Sequence, residues 1–197
     1  MSLLYRLLYR VGFAPWDTDR VPAELAALVE GENSLPVGRA VDIGCGTGTQ
    51  AVYLARHGWQ VTGLDAVPLA LERARGRAEA AGVDVTWIQG DVARLEELGI
   101  EPGVRLFLDR GCYHGLPQHA RAGYAAGIGA LAAPGATFLL LSFAPNRRLG
   151  GPSGADEAEL RERFGDRWEL AETTEDTSPL AGPMAKVPRH WHRFVAR

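Results

Sequence analysis

Hydrophobic and polar positions along the chain switch between two periods. Short runs of strand length occur at Ala40–Cys45, Gln60–Asp65, Val85–Gln89, Val104–Asp109 and Ala136–Phe143. Longer segments with helical spacing lie around them, at Pro22–Glu30, Gln50–His57, Pro68–Ala81 and Gln118–Ala132. Proline in the first turn suits the helix at Pro22, and Gly82 ends the helix that begins at Pro68. That helix carries Glu72, Arg73, Arg75, Arg77 and Glu79, a charge run that reads as a solvated face. The Ala/Gly-rich helix from Gln118 is expected to stop at Pro134-Gly135. Strands alternating with helices predict an α/β fold with a doubly wound, mostly parallel sheet.

The alternation breaks near the C-terminus. A short helix is predicted over Asp156–Phe164, with Ser153 as its N-cap and Gly165 as its stop. Trp168–Thr177 and His190–Arg197 then read as strands, joined by a loop containing Pro179, Pro183 and Pro188. Without a crossover helix between them they should form an antiparallel hairpin at the sheet edge, giving seven strands. At the other end, Leu3, Leu7 and Val11 share a helical face with Leu4 and Leu8. Arg6 and Arg10 interrupt this apolar run and no small-residue cleavage site follows, so it does not read as a signal peptide. It is expected to pack on its own domain; the alternatives are a lid over a pocket and a membrane-surface contact.

Composition narrows the class. With 197 residues and 46% hydrophobic content, residues 1–197 are expected to form one domain with ample core, residues 1–33 being its N-terminal helical part. No apolar run reaches the length of a membrane span, so stable membrane insertion is not expected. A formal charge of −3 argues against nucleic acid as a partner. Neither cysteine, Cys45 or Cys112, has a metal-ligand partner at useful spacing; no metal site is expected, and a reducing, cytoplasmic setting is the simplest reading.

The candidate chemistry begins at Ala40-Val-Asp-Ile-Gly-Cys-Gly-Thr-Gly-Thr49, a buried strand running into a glycine-rich turn and then a helix. Gly44, Gly46 and Gly48 allow a tight turn and close approach to a ligand. The next strand ends in Asp65, where an acid at the carboxyl edge of a parallel sheet can take ribose hydroxyls. A nucleotide-type cofactor follows from that pairing. A dinucleotide fingerprint counted from Gly44 would need a small third residue where Thr49 stands, and Asp42 would sit badly beside a pyrophosphate. Asp42 instead suits a cofactor with an amino-acid head and a cationic centre.

The D-x-G-x-G-x-G pattern with its downstream acid resembles the first motif of the class I S-adenosylmethionine-dependent methyltransferases. Pro15-Trp16-Asp17, the Ser34–Ala40 segment, Asp109-Arg110-Gly111 and Gly150-Gly151-Pro152 are similar to the thiopurine, thiol and halide methyltransferase group. The resemblance implies a Rossmann-like seven-stranded fold, S-adenosyl-L-methionine as cofactor and a small-molecule methyl acceptor. Carried over residue by residue, it places Gly44 and Gly46 at the methionine end, with Cys45 and Gly48 in the same turn and Asp42 fixing the loop or favouring the cation. Asp65, with Ala66 beside it, should take the ribose hydroxyls. Asp91 should accept from the adenine amine, or else merely cap a helix, and the Val92 amide should reach the ring. The Arg110 main chain should take the methionine amino group, and Trp16 should pack at the cofactor.

On the acceptor side this chain departs from the group, with Cys112-Tyr113-His114 after Asp-Arg-Gly. His114 is the candidate general base, the alternative being a residue that shapes the pocket. Tyr113 is a candidate for orienting substrate or closing on the sulfonium. Cys112 reads as a small packing residue, Trp191 as hairpin core, and Arg147 and Arg148 as a solvated loop. His57, His119, His190 and His192 are assigned no role. Three functions stay open: methyl transfer to a thiol, thiopurine-like heterocycle or halide; O- or N-methylation of a phenol or heterocycle with His114 as base; and non-catalytic cofactor binding.

Overall fold

The computed structural model describes residues 7, 9–10, 19–145, 153–180 and 186–197. The strands are β1 (Arg39–Ile43), β2 (Gln60–Asp65), β3 (Thr86–Gln89), β4 (Val104–Arg110), β5 (Ala132–Phe143), β6 (Trp168–Glu175) and β7 (Arg189–Ala196). They form one seven-stranded sheet in the order β3-β2-β1-β4-β5-β7-β6. Neighbours from β3 through β5 are parallel, while β7 runs antiparallel to both β5 and β6. The predicted doubly wound sheet with a reversed C-terminal hairpin is therefore the observed one. The hairpin inserts its second strand next to β5, so β6 forms the edge.

Side chains alternate across the sheet with the two-residue period of a strand. Leu106, Leu108, Leu139, Leu141 and Trp191 face one layer with Leu25 of α1 (Ala23–Val29) and Ala51 and Leu54 of α2 (Thr49–Arg56). Phe107, Phe138, Leu140 and Phe194 face the other, with Tyr124 and Ile128 of α4 (Gln118–Leu131) and Leu160 and Phe164 of α5 (Glu157–Phe164). The helix α3 (Pro68–Ala81) buries Ala70, Leu71, Ala74 and Ala78, a narrow strip of mostly small residues that leaves its charged face to water.

Local chemistry moves two expected boundaries. Pro134-Gly135 does not separate α4 from β5. The strand begins at Ala132, and the pair lies in an irregularity between Val104↔Ala132 and Leu106↔Thr137, where Gly135 takes φ 70. Helix α5 is capped by Asp156, whose carboxylate accepts from the Glu159 amide at 2.9 Å; Ser153 is committed elsewhere. Short 3₁₀ turns at Val92–Glu97 and Tyr113–Gly115 follow β3 and β4. At the N-terminus Leu7, Tyr9 and Arg10 are helical, Leu7 is exposed, and Tyr9 is buried against Val67 and Ala70 where α3 begins. The remaining residues of that predicted helix, with Trp16, Arg147, Arg148 and the Gly150-Gly151-Pro152 segment, lie outside the described residues.

Candidate active site

The carboxyl ends of β1, β2 and β4 meet at the glycine turn. Gly44, Gly46 and Gly48 have φ of 70, 53 and 80, a left-handed backbone that other residues adopt only at a cost. The Gly44 and Cys45 amides donate to the Leu64 carbonyl at 2.8 and 2.9 Å, which ties the turn to β2. Gly48 has a second constraint. A Cβ there would lie 2.7 Å from Trp87 and 2.9 Å from the Ala74 methyl, so its bareness lets α3 and β3 close beneath the turn.

Asp65 closes the same turn from the other side. One carboxylate oxygen accepts from the Gly46 amide at 3.0 Å and the other from the Val67 amide at 2.8 Å, with half-buried Ala66 between them. Asp42 is buried beneath the turn. Burial raises its pKa to about 7, against the pull of a hydrogen bond from the Ala51 backbone; the carboxylates of Asp109 and Asp65 add to the rise. Its Oδ2 is buried without a hydrogen-bond partner among the described residues. Cys45 is buried in the turn. Asp91 is exposed and caps the 3₁₀ turn after β3, accepting from the Ala93 amide at 3.0 Å, while the Val92 side chain joins the core.

Sequence reasoning named Asp109 only as part of a motif, yet it organises the loop after β4. Its carboxylate is fully buried and accepts from the amides of Gly111 (2.8 Å), Cys112 (2.6 Å) and Tyr113 (2.9 Å), and from the Tyr124 hydroxyl. Burial lifts its pKa to about 6, with these hydrogen bonds opposing the rise. An aspartate at a strand end followed by a glycine turn was the available signal. The loop holds half-buried Arg110 at the end of β4 and seats Cys112 against the glycine turn, where a Cβ on Gly44 would lie 3.1 Å from the Cys112 Cβ. Cys112 therefore packs, as expected, and burial pushes its thiol pKa well up.

Tyr113 and His114 diverge. The Tyr113 ring is fully buried between Tyr124 and Phe164, at centroid distances of 5.4 and 5.5 Å, and its hydroxyl donates to Glu159 at 3.0 Å. The ring expected to orient a substrate is instead core, because the Asp109-bound turn rotates it beneath the sheet edge. His114 packs against the half-buried Phe143 ring at 4.6 Å, and Gly111 leaves room for it. Its Nδ1 is buried without a hydrogen-bond partner among the described residues. Burial lowers its pKa to about 4, only partly offset by a hydrogen bond with the Leu141 backbone. The Arg189 guanidinium lies 5.8 Å from the centre of the Phe143 ring and forms an ion pair with Asp176 at 2.9 Å. Nothing in the sequence singled out Phe143 or Arg189; their pairing across β5 and β7 is a matter of register. Trp191 is core, as expected.

A family model described as a methyltransferase domain matches residues 40–135, from β1 into β5. A 2-heptyl-1-hydroxyquinolin-4(1H)-one methyltransferase of Mycobacteroides abscessus is 33% identical over 171 residues, covering 84% of this chain and 71% of the relative. The chain belongs to the S-adenosylmethionine-dependent methyltransferases. As in that family, its cofactor is S-adenosyl-L-methionine. Two solved structures share the fold of this methyltransferase. One, from work on the conversion of a disulfide bond into a thioacetal group during echinomycin biosynthesis, is 25% identical, with a TM-score of 0.79 and coverage of 98% of this chain and 91% of that one. The other is the Burkholderia thailandensis 1,6-didemethyltoxoflavin-N1-methyltransferase with bound 1,6-didemethyltoxoflavin and S-adenosylhomocysteine. It is 22% identical, with a TM-score of 0.75 and coverage of 98% and 85%. Among the described residues no helix is long and apolar enough to cross a membrane, and no cluster of ligating side chains is suited to a metal ion.

Proposed function

We propose that this methyltransferase acts on a small heteroaromatic acceptor whose oxygen or sulfur ionises near neutral pH without help from a base. The observation that carries this reading is His114. It is the imidazole nearest the aromatic wall made by Phe143, and with a pKa lowered to about 4 it is a weak proton acceptor. His114 would give or take a hydrogen bond at its unpartnered Nδ1 and so orient the acceptor. The Phe143 ring offers a flat surface that favours a planar acceptor, and the Arg189 guanidinium beside it, neutralised by its ion pair with Asp176, holds that ring in place.

The cofactor residues fit this use. S-adenosylmethionine, when bound, supplies a methyl group on a positively charged sulfur. The unpartnered Asp42 oxygen is a buried acceptor that a cationic ligand would satisfy. Gly44, Cys45, Gly46 and Gly48 would hold the methionine end, with the Arg110 main chain on its amino group. Asp65 already binds the Gly46 and Val67 amides, and its remaining lone pairs would take the ribose hydroxyls beside Ala66. Asp91 and the Val92 amide would border the adenine. Alignment of donor and acceptor is what the protein contributes, and in favourable intramolecular cases it supplies on the order of 7–11 kcal/mol.

The names of two relatives support an oxygen or sulfur acceptor. One is named for a hydroxyquinolone and the other is associated with the conversion of a disulfide to a thioacetal, whereas the third, the toxoflavin-type enzyme, is named for N1-methylation. The test is release of S-adenosylhomocysteine with a panel of hydroxylated N-heterocycles, thiopurine-like and aryl thiols, simple phenols and iodide. Acidic heterocyclic hydroxyls and aryl thiols should turn over. Phenols ionising near pH ~10 should react poorly at pH 7 and improve as pH rises. Equal turnover of phenols and acidic hydroxyls at pH 7 would count against the reading, as would product from iodide alone.

A further inference from the structure

We propose that Arg121 is a positioning residue that clamps the loop after β4 to the segment entering α5, and so fixes the acceptor wall without touching the acceptor. The inference rests on the reading that His114 and Phe143 border the acceptor. Arg121 stands in the second turn of α4 with a fully buried side chain. Its Nε donates to the Leu116 carbonyl at 3.1 Å, and Nη2 to the His114 carbonyl at 3.3 Å, the Gly154 carbonyl at 2.9 Å and the Ser153 hydroxyl at 2.6 Å. Nη1 pairs with Glu159 at 2.5 Å, and the same carboxylate oxygen accepts from Tyr113, whose ring centre lies 4.8 Å from the guanidinium carbon. One planar cation thus reaches both sides of a boundary that, among the described residues, no backbone hydrogen bond spans at those positions.

A buried cation is a poor choice for stability alone, since apolar residues of similar volume usually serve as well or better. What the guanidinium offers is a rigid fork that fixes several acceptors in one plane, which the point charge of a lysine cannot reproduce. The held carbonyls belong to the His114 turn and to the segment entering α5, whose Ala155 amide bonds the Phe143 carbonyl. The clamp therefore sets where the His114 ring stands relative to Phe143. Ser153 completes it from the second segment.

The test compares wild type, Arg121→Lys and Ser153→Ala, each with S-adenosylhomocysteine bound. Amide exchange is read at Gly115, Leu116 and Ala155, whose N–H groups bond Cys112, Tyr113 and Phe143 carbonyls, and at Gly44 and Cys45 as a control. In Arg121→Lys, exchange at the first three should rise about tenfold or more while the control amides stay protected. Affinity for S-adenosylhomocysteine should hold, and acceptor KM should rise about tenfold with kcat little changed. Ser153→Ala should move the same amides in the same direction by a smaller factor. Wild-type exchange and KM in Arg121→Lys overturn the proposal, as does a rise spread evenly over the control amides. If the lysine variant does not fold, Ser153→Ala decides: unchanged exchange at Gly115 and Leu116 overturns it. Failure of every heteroaromatic acceptor in the panel would remove the acceptor reading, while the exchange result still decides the clamp.

Discussion

At the scale of single residues, the carboxylates at the sheet edge carry more structural work than a ligand-binding reading alone would give them. Asp65 is the clearest case. Its position at the end of β2 made it legible as a ribose acceptor, but its two amide bonds are a separate, local function that no motif announces. They hold the glycine turn at the height of the β2 terminus. Asp65→Asn keeps the size and one acceptor but turns an amide nitrogen toward one of the two N–H donors. Leaving a buried donor unsatisfied costs about 1–3 kcal/mol. We expect a lower unfolding midpoint in urea for the protein without cofactor. Calorimetry should show S-adenosylhomocysteine binding weakened by about tenfold or more, through a displaced turn and a weaker ribose contact. Wild-type affinity in this variant would remove Asp65 from the cofactor site.

Among the elements, the loop after β4 shows a carboxylate acting as the core of a turn. Asp109 takes three amides and the Tyr124 hydroxyl, so the loop is built around an anion that burial alone would discourage. Tyr124→Phe keeps the ring in the core and removes only the hydroxyl donor. It should destabilise the fold by about 1–2 kcal/mol in denaturant titrations at pH 8, where Asp109 is charged. The loss should shrink at pH 5, where Asp109 with its pKa of about 6 is increasingly protonated in the native state. A pH-independent loss would assign Tyr124 to packing alone. This loop also shows where sequence stopped being informative. Strands β2 and helix α3 had the expected boundaries, because alternation, a proline start and a glycine stop are local signals. Tyr113 went the other way. Which side of a turn a ring takes depends on the three amides that Asp109 gathers, and that is not written in spacing. Likewise Pro134-Gly135 looked like a terminator, yet a strand irregularity accommodates it, and Ser153 looked like a cap but serves Arg121. The glycine turn and Asp65 were legible because backbone geometry demands those residues. The Phe143–Arg189 pair was not, because it arises only once β7 inserts beside β5.

For the whole molecule, buried titratable groups of opposite sign set how stability responds to acid. His114 and His192 are both held neutral by burial, with pKa values lowered from 6.5 to about 4. Over that window the unfolded chain binds more protons than the native one, so their contribution is complete above pH 6.5 and is lost as pH falls toward 4. Asp42 and Asp109 behave oppositely. Their native pKa values, about 7 and about 6, lie above the ordinary 3.8, so the native state takes up the extra protons and acidification stabilises it between 7 and 3.8. The two pairs offset each other, and removing one member should unbalance them in a direction fixed by its sign. Asp42→Asn should be more stable than wild type at pH 8, where wild type carries a buried charge, and should lose that advantage as pH approaches 4. His192 accepts or donates to Ser142 at 3.0 Å and Thr173 at 3.2 Å, bonds that a glutamine can partly replace. His192→Gln should therefore start less stable at pH 8 and recover relative to wild type on acidification. Thermal unfolding of the three proteins at pH 8, 6.5, 5 and about 4 measures both differences. Because Asp42 lies under the cofactor turn and His192 lies in the hairpin, parallel rather than opposed pH trends would show that neither burial governs the acid response.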